Sequence, residues 1–115
     1  MSEDNITKML EDRKKIVFDI NNALQREELR VLLSNYGGRA FYWRLLGECG
    51  VYKRSFTGDN VTFFNEGKRH IGLWMMEELF TSCPEMFILM QSEALKREER
   101  DKLEIANQEE NDFNG

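Results

Sequence analysis

Pro84 is the only proline in the chain, and it stands directly after the longest run of helical hydrophobic spacing. Val61, Phe64, Ile71, Met75, Leu79 and, one position on, Phe80 keep the helical period across residues 60–82. A proline ring pushes the residue before it off helical geometry, yet suits the first turn of a following helix. The stretch Cys83-Pro84 therefore predicts the end of one helix and the start of another, the second carrying Met86, Phe87, Met90 and Ala94 before the charged run "LKREERDKLEIANQEE". One proline among so many Glu, Lys, Arg, Leu and Met residues favours helices over a sandwich or barrel.

Upstream, "NITKMLEDRKK" (5–15) reads as a weak helix with Ile6, Met9 and Leu10 on one side. A better one spans 19–36, where Ile20, Ala23, Leu24, Val31 and Leu32 form an apolar stripe against Arg26, Glu27 and Arg30. Its end is placed at Asn35 to Gly38, because paired glycines terminate helices through positive φ. A third helix, 38–50, puts Ala40, Phe41, Leu45 and Cys49 on one face, with Tyr42, Trp43 and Leu46 widening it. Thr57-Gly58-Asp59 is a turn, and Asp59 or Asn60 caps the next helix. The expected fold is all-α, a small bundle of four to five helices. An acidic, partly ordered leader (1–18) precedes a helical domain (19–104), and a disordered acidic tail (105–115) follows.

Catalytic templates fail on residue type and spacing. His70, the only histidine, sits mid-helix between Arg69 and Ile71, with no Ser or Cys in an elbow turn beside it. Glu77-Glu78 and Glu98-Glu99 are adjacent pairs and point to divergent sides of a helix. The segment "NEGKRHIGLW" (65–74) has glycines five apart, but Leu73 and Trp74 follow the second where a phosphate loop needs Lys and Ser/Thr. Cys49 and Cys83 fit neither a disulfide framework nor a zinc spacing, and read as two reduced thiols. No catalytic, cofactor-binding or metal residue is assigned. Gly67 and Gly72 instead read as packing glycines, about 140° apart at 100° per residue. Trp43 and Phe41 are the neighbours expected to approach them.

The net charge of −5 hides an asymmetry: residues 25–72 hold eight Lys/Arg against five Asp/Glu, and residues 73–115 hold four against eleven. Basic and aromatic residues crowd the centre, and Arg39, Trp43, Arg44, Lys68, Arg69 and Trp74 are the candidate partner-binding residues. Arginines interleaved with aromatics can clamp phosphates and stack bases. The plainer reading gives the aromatics to the core or an oligomer interface, so nucleic acid is the less favoured partner. Trp74 and Met76, if turned away from the helical stripe, leave apolar surface that calls for a protein partner. The polar, acidic opening "MSEDNITKML" is unlike a secretory signal, and runs such as "IGLWMM" are too short to cross a bilayer, so no membrane is expected.

Gly38, Arg39, Phe41, Trp43, Leu45 and Leu46, then Gly50, Val51 and Tyr52, then Ser55, Phe56 and Gly58, then the run from Phe64 to Leu73 form one spaced pattern of glycines, aromatics and basic residues. In this pattern the central segment resembles the Bbp-nineteen-like tailed-phage domain family. A closing helix around "CPEMFILMQSEA" completes a likeness over residues 25–94. The resemblance implies a small phage protein of the head and packaging region, in the virion or the host cytoplasm, without a catalytic site. It would act through contacts with other virion proteins or with copies of itself. Two alternatives stay open: a phage inhibitor of a host protein, with the acidic half imitating nucleic acid, and a nucleic-acid-binding accessory protein.

Overall fold

The computed structural model describes residues 2–51 and 61–114. They form four α-helices: α1 (Glu3–Leu32), α2 (Tyr36–Glu48), α3 (Val61–Ser82) and α4 (Glu85–Asn114). The fold is the expected all-α bundle. The turn at Thr57–Asp59 and the cap at Asp59 or Asn60 lie outside the described residues, as do Tyr52, Ser55, Phe56 and Gly58 of the family pattern. The two helices expected over 5–15 and 19–36 are one. Ile16, Val17 and Phe18 join them without a glycine or proline to interrupt the backbone ladder, and Ser2 caps the start by accepting from the Asn5 amide at 3.3 Å. No helix break marks residues 18/19 or 104/105. No helix among the described residues is long and apolar enough to cross a membrane.

The turn between α1 and α2 works differently from the expectation. Gly37 and Gly38 do not end a helix with positive φ; they sit in the first turn of α2, and Gly50 (φ 68°) is the only described residue in the left-handed region. Asn35 is the cap, its Oδ1 accepting from the Gly38 amide at 2.8 Å. Gly38 is required by proximity, because a Cβ there would strike the Leu32 carbonyl. Pro84 behaves as read: α3 stops at Ser82, α4 starts at Glu85, and the Met86 amide donates to the Cys83 carbonyl at 3.0 Å.

The core gathers around the Cys83-Pro84 break. Leu33 enters it from the end of α1, Tyr42, Leu46 and Cys49 from α2, Met75, Leu79 and Cys83 from α3 and its end, and Met90 from α4. Trp43 packs on its edge against Phe87, ring centres 5.7 Å apart. The buried face of α2 is thus offset from the expected one: Tyr42 and Leu46 are inside, while Phe41 and Leu45 are exposed. On α3, Met75 and Leu79 are buried, whereas Val61, Phe64, Ile71 and Phe80 are not. Not one residue within α1 is buried. Two 30-residue helices, each about 45 Å long, overlap the others only in part, giving an elongated molecule of 88 × 40 × 18 Å.

Gly72 is buried, and a Cβ on it would meet Cys49 Cβ at 2.7 Å and the Val51 side chain. The neighbours that need this glycine are therefore the C-terminal end of α2 and the residues after it, not Trp43 and Phe41. At Gly67 no described atom lies within 4 Å of where a Cβ would stand, so neither of those aromatics approaches it either.

Candidate functional site

Between α1, α2 and α3 runs a groove of about 530 Å³. Leu29 and Leu32 form one wall, Phe41 and Leu45 the second, Ile71 and Trp74 the third. Each wall is a pair at helical spacing, three or four residues apart, which places both side chains on one strip of each helix. The floor is the core itself. Met75 lies there, and so does Tyr42, whose hydroxyl donates to the Met75 carbonyl at 2.6 Å. Gln25, Glu28 and Glu78 are the polar residues of the lining, so its formal charge is wholly acidic. Trp74 is 56% exposed and Phe41 52%. Together with Leu45 and Ile71 they leave a contiguous apolar strip open to solvent.

The six candidate residues do not form one cluster. Arg39 is committed inside the fold. Its guanidinium donates to both carboxylate oxygens of Glu93 at 2.7 and 3.3 Å, and to the Leu33 carbonyl at 3.0 Å. These bonds tie α2 to α4 and to the end of α1, and the Glu93 bond holds the Arg39 pKa above its ordinary value, against the opposing effect of burial. Trp43 is half-buried against Phe87. Arg44 and Lys68 are exposed, each 5.4 Å from an aromatic ring centre, Phe41 and Phe64 respectively. Arg69 is partly buried on α3. Only Trp74 lines the groove; Met76 packs against the core. The residues missed were Phe41, Leu45 and Ile71, assigned to apolar faces of their helices, together with Leu29, Leu32 and the acidic rim. The available signal was the offset on α2: Tyr42, Leu46 and Cys49 make an equally regular buried face.

A family model for the Bbp19-like phage protein matches residues 29–92. The chain belongs to this family. Among curated proteins and among solved structures, none matches it. The Bbp19-like span holds all six wall residues of the groove, together with Arg39 and the Cys83-Pro84 break around which the core gathers. Most of α1 and the C-terminal part of α4 extend beyond it.

The groove floor also carries a pH signature. Burial pushes the Tyr42 phenol up to about 12, with Glu78 and Cys83 adding to the shift. Burial likewise raises the Cys83 thiol, reinforced by Glu85 and opposed by Arg30. An unfolded tyrosine titrates near 10, so above that pH the unfolded chain loses a proton that the native one keeps. Stability from this group is intact below about pH 10 and falls as pH rises toward about 12. Urea unfolding across that window should show a declining midpoint, with a shallower decline in Tyr42→Phe.

Proposed function

We propose that this Bbp19-like protein is a phage structural or assembly protein that works by protein–protein contact at the head or portal, with the α1–α2–α3 groove as its docking surface. The observation that carries the reading is the apolar groove with Trp74 and Phe41 half exposed on its walls. Such a groove accepts one face of an amphipathic helix, read through anchors spaced three or four residues apart. Glu28 and Glu78 on the lining favour a partner segment with basic residues beside its apolar anchors. Direct nucleic-acid binding is the weaker reading, because Arg39 gives its hydrogen bonds to Glu93 and Leu33 and an acidic lining repels phosphate.

The test is mass spectrometry of purified virions and head-assembly intermediates, combined with a photocrosslinking residue in place of Phe41. The chain should be found in one of those particles and crosslink to a virion protein. Trp74→Ser should abolish the crosslink while leaving the helical circular dichroism intact. Absence from both particles would overturn the reading, and a crosslink to a host protein would transfer the groove to a host-directed inhibitor.

A further inference from the structure

The most amphipathic helix of the molecule turns its apolar stripe away from the bundle. At 100° per residue, Ile6, Leu10, Val17, Ile20, Leu24 and Val31 fall within an arc of about 80° on α1, and all six are exposed. The opposite side of the helix meets α3. Arg30 Nε donates to the Ser82 carbonyl at 3.0 Å, Asn22 and Arg26 face Glu77 and Thr81 across a polar crevice, and Leu29 packs on the core. The stripe is therefore not a core face, and no described residue covers it.

We infer that α1 pairs antiparallel with α1 of a second copy of this chain, centred on Ile20. Three features select that occupant. With Met9 and Ile16 at its edge, the stripe presents eight apolar side chains, each 41–61% exposed, along most of a 30-residue helix. The stripe runs the length of the helix, and its N-terminal part lies outside the span shared with the family. The charges along the stripe are self-complementary in one direction only. Arg13 lies within it toward the N-terminus, and toward the C-terminus Glu28 lies within it and Glu27 at its edge. An in-register parallel pair would set Arg13 against Arg13 and Glu27 against Glu27. An antiparallel pair about Ile20 sets Arg13 level with Glu27 of the other copy at both ends, Ile16 level with Leu24, and Met9 level with Val31. Glu27 is free to turn, since its bond to Arg30 is an exposed one of 3.4 Å.

The pairing leaves Leu29 and Leu32, the α1 wall of the groove, outside the stripe and touches no wall on α2 or α3, sharing only Glu28 with the groove lining, so it is tested apart from the docking reading above. Sedimentation equilibrium of the full chain should give twice the monomer mass. Ile20→Glu should give a monomer with unchanged helical circular dichroism. Arg13→Glu should weaken association by roughly tenfold or more through like charges in the interface, and adding Glu27→Arg should restore it. For direction, Ile20→Cys should form an intermolecular disulfide across the two-fold, whereas Met9→Cys should do so only when mixed with Val31→Cys. A wild-type monomer at every soluble concentration would overturn the pairing and leave the groove untouched. A disulfide between two copies of Met9→Cys would overturn the antiparallel direction.

Discussion

Gly72→Leu should abolish stable folding, and Gly72→Ala should lower the unfolding midpoint. A Cβ at this position would lie 2.7 Å from Cys49 Cβ and against the Val51 side chain. Cys49 Cβ cannot swing aside, because it is fixed to the last turn of α2 and the residue itself is buried. Relief requires α2 and α3 to separate, and overpacking of this kind costs about 1–3 kcal/mol even for small additions. Alanine recovers roughly 1 kcal/mol through its helix propensity, so its net loss is the smaller one. Leucine adds three more carbons at a position with no space for the first, which places it at the upper end or beyond.

Gly67 supplies the control within the same helix. No described atom lies within 4 Å of where its Cβ would stand, and Gly67→Ala should stabilise by up to about 1 kcal/mol. Thermal and urea unfolding of the two alanine variants should move in opposite directions. If Gly72→Ala raised the midpoint as Gly67→Ala does, the close approach of α2 to α3 would be wrong.

The helices were legible in the sequence because their signals are local. Period, the single proline and the cap-forming residues each act within a few positions, and the break at Cys83-Pro84 came out where Pro84 placed it. Merging of the first two helices was harder to see, since Ile16, Val17 and Phe18 belong to no single face and hide the continuity. What periodicity could not supply was which apolar strip is covered. On α2 two strips compete, Phe41 with Leu45 and Tyr42 with Leu46, and only the position of α3 decides that the second is inside. The same holds for Arg39. Its role rests on Glu93, 54 residues away in sequence, and nothing local distinguishes it from Arg44. The groove is the residue of these choices: Phe41, Leu45 and Ile71, which periodicity assigned to the core, line it beside Trp74 because tertiary packing left them out.

That distinction gives the second large effect. Leu79→Ala should remove about 2–5 kcal/mol, since Leu79 has 0% exposure and truncation leaves a cavity in the core cluster that the surrounding helices close only in part. Domains of this size have in all about 5–15 kcal/mol, so the variant should be marginal or unfolded at ambient temperature. Leu24→Ala makes the same chemical change within the more regular stripe of α1. Leu24 is 55% exposed, and alanine is a slightly better helix former, so in dilute solution its stability should stay within about 0.5 kcal/mol of wild type. At higher concentration the two variants part in another way. Association adds stability to the paired state by mass action, so the wild-type midpoint should climb with concentration and that of Leu24→Ala should climb less. Equal losses for the two leucines in dilute solution would mean that α1 packs its stripe inward. A difference confined to Leu79 in dilute solution, joined by Leu24 as concentration rises, separates the strip that holds the fold from the strip that holds a second copy.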